Sequence, residues 1–262
     1  MFTPAPTAVD TAIILINAGI IHRVGPHRIA VKLARALADA GIAALRFDLS
    51  GRGDSPTASS TAGYDDQAVQ DVRAAMDYLG REQGISHFLL FGICSGAVCS
   101  YQTAKVDPRV RGIFMVDGYW YRTRWSKPMR LWLRLRKLPL KAIFASLARR
   151  LKPRPAEDAA AQGGIFAVTE NNNPPRRQFA DDLNAMTARG VRPFFLFTNS
   201  VTEQVSYASQ LAQAFDGEPF VASMQGTLDL SIDHTMTGQA AQCRLVALVR
   251  DWAVAARRQP AG

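Results

Sequence analysis

Residues 88–97 read FLLFGICSGA, and how this stretch is read decides how the rest of the chain is arranged. A short apolar run followed by Gly92, Ile93, Cys94, Ser95 and Gly96 predicts a buried strand that turns sharply into a helix. In such an elbow the central residue is lifted to the edge of the sheet. The glycines have a steric reason, because a Cβ at Gly92 or Gly96 would collide across so tight a turn. The residue at the apex is Cys94, and a thiol held there is a candidate nucleophile. Ser95 is the alternative. The spacing alone is weak, since two glycines four residues apart also occur wherever helices pack closely, so the flanking chain has to decide.

Outward from the elbow, strand and helix alternate. Upstream, AIILI at 12–16 and IAALRF at 42–47 are short apolar runs bounded by loop formers, the pattern of buried parallel strands. Between them a helix is predicted from Ile29 to Ala40, and residues 65–79 carry Val69, Val72, Met76 and Leu79 at helical spacing. Downstream come a helix over 95–105, the strand VRGIFMV, a helix at 179–189 and the strand PFFLFT at 193–198. A helix near 204–215, a weak strand at 219–223 and a closing helix over 239–256 complete the series. This alternation predicts an α/β fold with a doubly wound, mostly parallel sheet. Ligands of such sheets bind at the carboxyl ends of the strands.

Composition narrows the class. A chain of 262 residues, 48% apolar and 20% charged, suits one large core. Its three cysteines, Cys94, Cys99 and Cys243, show neither a disulfide framework nor metal-ligand spacing. Cys99 and Cys243 read as core residues. No metal and no cofactor are expected. The N-terminus lacks a basic segment ahead of a long apolar run, so the expected location is cytoplasmic. The formal charge is +9, yet residues 122–154 hold twelve Lys or Arg and no acid, which leaves −3 for the rest.

The carboxyl edge of the sheet sorts the candidates for chemistry. His87 precedes its strand, at the wrong edge. His22 and His27 follow the first apolar strand, and His234 lies in the loop between the last strand and the last helix. Asp117, directly after GIFMV, and Glu203, after PFFLFT, are the acids at strand ends. A thiol needs a base to take its proton, and the base needs a third group to orient it. Cys94, His234 and Asp117, with Glu203 as the alternative acid, fit those roles.

In INAGIIHRVGPHR, LRFDLSGRGDSP, FGICSGA, DPRVRGIFMVDGYWYRT and DHTMT, the chain resembles the α/β-hydrolase superfamily. More narrowly it resembles bacterial serine-aminopeptidase-like or exosortase-associated hydrolases, with a Cys nucleophile similar to that of dienelactone hydrolases. The resemblance implies Cys94 as nucleophile and His234 as base, with backbone N–H groups of Ser95 and Ile20 forming the oxyanion hole. It also implies reduced N-terminal strands, so that six strands and at most one edge strand are expected. Where relatives carry an acid after PFFLFT, this chain reads TNSVTEQ, which favours Asp117.

The resemblance divides the chain into a core, 1–121 and 177–262, and a basic helical cap or lid at 122–176. Arg130, Arg134, Lys137 and Lys141 recur on one helical face and Leu131, Trp132, Leu135 and Leu138 on the other. A second amphipathic helix is expected beyond Pro139, then a loop over 153–176. His22, Trp120, Trp125 and Trp132 are expected around the pocket or lid. The cap's charge suits an acidic partner, namely an acyl carrier protein, coenzyme A or an anionic lipid surface. No nucleic-acid motif accompanies it. The function expected is acyl transfer from an ester or thioester through a Cys acyl-enzyme, as a hydrolase or thioesterase. The alternatives are an acyltransferase serving an amine or alcohol acceptor, and a non-catalytic binding module.

Overall fold

The computed structural model describes residues 1–16, 18–137 and 173–258. Its seven strands are β1 (Phe2–Thr3), β2 (Thr11–Ile16), β3 (Ala43–Arg46), β4 (His87–Ile93), β5 (Val110–Val116), β6 (Arg192–Thr198) and β7 (Gln225–Asp229). They lie in the order β1-β3-β2-β4-β5-β6-β7. Every neighbouring pair from β3 to β7 is parallel, and the two-residue β1 is an antiparallel edge on β3. The doubly wound, mostly parallel α/β sheet is thus as the alternation predicts, six strands and one short edge.

Seven α-helices are described: α1 (Ile29–Asp39), α2 (Tyr64–Gln83), α3 (Ser95–Val106), α4 (Ser126–Lys137), α5 (Arg176–Ala188), α6 (Gln210–Ala214) and α7 (Gln239–Arg257). The two-residue side-chain period of a strand builds two cores. On β4, Phe88 and Leu90 join α2, α3 and α5 through Val72, Tyr101 and Phe179. Leu89, Phe91 and Ile93 face the other way, toward Leu33 of α1 and Leu245 and Trp252 of α7. Burying each such Leu, Ile or Phe contributes roughly 1.5–3 kcal/mol, so the strands leading to the site are held from both faces.

Three local expectations are corrected. Residues 219–222 form a 3₁₀ turn, and the last strand is Gln225–Asp229. Pro219 at the start of that segment cannot donate to a ladder, while the true strand, QGTLD, has no buried residue and carries little apolar signal. The helix expected over 204–215 is reduced to α6. Cys243 is exposed, because Ala241, Leu245 and Val249 take the inward face of α7. Cys99 is core, and burial pushes its thiol up to about 12. The second cap helix and the loop over 153–172 lie outside the described residues.

Candidate active site

The site assembles where β2, β4, β5 and β6 end. At the end of β4 the chain reverses through Cys94, whose φ of 54° and ψ of −116° put a non-glycine residue in a strained conformation. The turn is held by Cys94 N–H donating to the Val116 carbonyl at 2.9 Å and by the Ala97 N–H donating back to the Cys94 carbonyl at 3.0 Å. A Cβ on Gly92 would collide with the Gly96 carbonyl and the Ala97 nitrogen. α3 begins at Ser95, so its positive end points at the apex. The loop after β2 is tied to this turn, since Gly19 donates its N–H to Ser95 Oγ at 2.7 Å. Ile20, beside it, is 71% exposed.

Asp117 follows β5 with φ 49° and a side chain only 1% exposed. Burying a carboxylate is costly unless its lone pairs are satisfied. Here Oδ1 accepts from the Thr198 N–H at 2.8 Å, and Oδ2 accepts from Thr198 Oγ1 at 2.6 Å. The same Oδ2 lies 2.7 Å from His234 Nδ1. The strand register explains the meeting: Val116 pairs with Leu196, the Asp117 N–H donates to the Leu196 carbonyl at 2.9 Å, and Thr198 therefore ends β6 beside the carboxylate.

His234 arrives from the loop after β7. Its N–H donates to Ser200 Oγ at 3.0 Å, and the neighbouring Asp233 carboxylate accepts from the N–H groups of Thr235 and Thr237 at 3.0 Å each. The imidazole, 20% exposed, is raised to about 10 by its hydrogen bond to Asp117 and then by a hydrogen bond to Cys94, against the opposing effect of burial. With Nδ1 committed to Asp117, the remaining nitrogen is the one left for the elbow. Cys94, His234 and Asp117 thus come together from three separate segments of the chain.

The alternative acid does not join them. Glu203 sits at the surface, paired with Arg130 at 3.4 Å, and its carbonyl accepts from the same guanidinium at 2.9 Å. His22 lies 3.2 Å from Asp54 and 3.4 Å from Asp48. Arg23 bonds Asp48 and lies 2.7 Å from Asp54, offsetting one of the two negative charges. Trp120 is buried in the core, whereas Trp125 and Trp132 are exposed. Thr198 was not anticipated. The signal was present in the strand-final threonine of PFFLFT, one strand from an acid that needed donors.

A family described as serine aminopeptidase, S33, matches residues 11–216. Among curated proteins none matches the sequence. Solved structures are similar in fold. Est1E from Butyrivibrio proteoclasticus with ferulic acid bound superposes with a TM-score of 0.60 at 15% identity, over 99% of this chain and 95% of that one. A monoacylglycerol lipase from Paleococcus ferrophilus gives 0.55 at 14% identity, over 98% of each chain. An alpha-beta serine hydrolase homologue from Coxiella burnetii gives 0.55 at 13% identity, over 96% of this chain and 89% of that one.

The family match corrects the chemistry expected from the sequence. The match is to a serine-type family, which overturns the Cys-nucleophile resemblance, the Cys acyl-enzyme in both its hydrolytic and its transfer versions, and the enzyme class built on a Cys-His-Asp triad. The physical reason lies in the elbow. Its sterics specify the glycines and the strained backbone, and they lift whatever side chain stands between them. The motif therefore locates a position without specifying its chemistry.

Proposed function

The chain belongs to the serine aminopeptidase, S33, family, and on that premise we propose that it hydrolyses a carboxylic ester of a small acyl substrate at the carboxyl edge of the sheet. His234 is the general base in this reading, taking a proton from the water whose oxygen attacks the ester carbonyl and passing it to the alkoxide that leaves, and Asp117 orients it. The observation that carries it is the 2.7 Å bond from His234 Nδ1 to the buried Asp117, made beside the strained elbow. A base whose ring is fixed at one nitrogen presents the other toward the reacting atoms. A structural neighbour that is a monoacylglycerol lipase supports an ester over an amide.

In this proposal the substrate carbonyl seats over the apex, bordered by Cys94, whose thiol is bonded to the imidazole. Backbone N–H groups of Ser95, at the start of α3, and of Ile20, in the loop that Gly19 ties to Ser95, face the developing oxyanion. Preorganised donors of this kind stabilise charge where it forms, and losing one costs roughly 10²–10³ in rate. The basic segment 122–154 supports an acidic partner at the cap, which is a further part of the proposal.

Cleavage of p-nitrophenyl acetate and butyrate tests the reading. The wild-type chain is expected to turn both over, and His234→Ala to lose about 10²–10⁴-fold in kcat/KM; unchanged rates in His234→Ala would sink the assignment. Cys94→Ser puts a hydroxyl at the apex and is expected to keep or raise the rate. Abolition of all esterase activity in Cys94→Ser would break the serine-type reading.

A further inference from the structure

α4 is amphipathic in an unusual sense: the apolar residues it shows are turned outward. Trp125, immediately before it, is 54% exposed, Leu131 59% and Trp132 52%. At 3.6 residues per turn these three and Pro128 fall within an arc of about 120°. Arg130 lies across the helix from them, and its guanidinium reaches the Glu203 loop of the core at 2.9 Å. The helix is thus tied down through its polar side while two indoles and a leucine face away from the core.

The charge around that arc is of one sign. Arg122, Arg124 and Lys127 are exposed, and residues 122–154 include no acid at all. Exposed apolar residues alone would suit many occupants, and cations alone would suit any anion. A convex strip carrying both, with tryptophans at its border, matches the interfacial layer of a bilayer, where indoles reside at headgroup depth and cations meet anionic lipids. A small phosphate-bearing ligand would instead call for cations converging on a concavity.

We propose that α4 and the preceding Trp125 dock the protein on a membrane surface bearing anionic lipid. Among the described residues no helix is long and apolar enough to cross a membrane, so the attachment is peripheral. Glu203, which holds Arg130, lies in the loop that follows Thr198, the residue bonded to Asp117. Docking therefore brings the carboxyl edge of the sheet close to the bilayer. The proposal deepens the hydrolase reading, and it rests on that reading only in making a lipid-borne or membrane-partitioned ester the substrate.

Sedimentation of the full chain with vesicles tests it, using phosphatidylcholine alone and phosphatidylcholine with about 30 mol% phosphatidylglycerol. Binding is expected on the anionic vesicles, at least tenfold above the neutral ones, and weakened by salt. Lys127→Ala should reduce it about fivefold, the effect of one cation near such a surface. The double variant Trp125→Ser with Trp132→Ser should reduce it tenfold or more while melting at the wild-type temperature.

Failure to bind anionic vesicles, equal binding to both compositions, or unchanged binding by the double variant would each overturn the proposal. So would a concentration-dependent dimer abolished by the double variant without any vesicle binding, which would make a second copy the occupant. Vesicle binding without ester hydrolysis would remove the hydrolase reading and leave the docking surface standing. Hydrolysis of the soluble ester without vesicle binding would do the reverse.

Discussion

The strand-end site and α4 are built on opposite terms. Asp117 is enclosed, accepts three hydrogen bonds and is positioned by a parallel ladder on either side of its strand. α4 lies on the outside, joined to the core by the exposed pair of Arg130 with Glu203 and by the contacts of Thr123 with Ser126 and Tyr207. In the first region each polar group is buried with a partner, so removing one leaves another without compensation. In the second, water replaces whatever is removed. The contrast teaches where sequence change is costly and where it is free to alter what the protein meets.

The largest test of that contrast is Asp117→Asn. An amide cannot hold the imidazolium or its orientation as a carboxylate does, and the loss expected in kcat/KM is about 10²–10⁴-fold. The pH profile sharpens it. With His234 raised to about 10, the neutral base grows in as pH rises from neutrality toward 10, and the esterase rate should climb over that range. In Asp117→Asn the rise should move to lower pH. The sign for stability is opposite: the charged ring bound to Asp117 favours the folded state fully below pH 6.5, and this contribution fades as pH rises toward 10. Activity profiles of the two proteins, with thermal melts across the same range, check both statements. A rise at the same pH in each would show that Asp117 does not set the base.

Thr198→Val is expected to have an intermediate effect. It keeps the branched shape at the end of β6 but removes the hydroxyl that donates to Asp117 at 2.6 Å. Leaving a buried carboxylate short of one donor costs roughly 1–3 kcal/mol, measurable by denaturant melts, and the rate should fall less than in Asp117→Asn. A melt indistinguishable from wild type would mean that Asp117 is satisfied without this threonine. The smallest effect is expected for Glu203→Gln. Its exposed pair with Arg130 is worth less than about 1 kcal/mol, so stability and soluble-ester turnover should stay within twofold of wild type. A large loss of turnover would instead restore Glu203 as the acid and break the comparison.

Much of this arrangement was legible because it follows from short-range rules. The apolar runs at 12–16, 88–93, 110–116 and 193–198 are buried on both faces, so each stands out without any partner in view. β7 escaped because QGTLD is an edge strand with no buried residue, paired only with β6 through its backbone. The elbow was legible from two glycines, yet the chemistry of the residue between them was not, since a turn of that shape accommodates a thiol and a hydroxyl alike. The preference for Asp117 over Glu203 came from the missing acid after PFFLFT and from the resemblance. The distances between side chains lay beyond either.

By itself, then, the sequence determined the order of strands and helices, the sharp turn at Gly92–Gly96, and the concentration of positive charge in 122–154. These depend on residues near one another in the chain, whose sterics, periodicity and charge act locally. Only the tertiary structure decided that Asp117 and His234, 117 positions apart, share a proton-bridged contact, that Thr198 satisfies the buried carboxylate, and that the apolar arc of α4 faces outward. Those outcomes depend on strand register and on which helix face meets the core, and both are settled by packing between segments that the chain brings together only when folded.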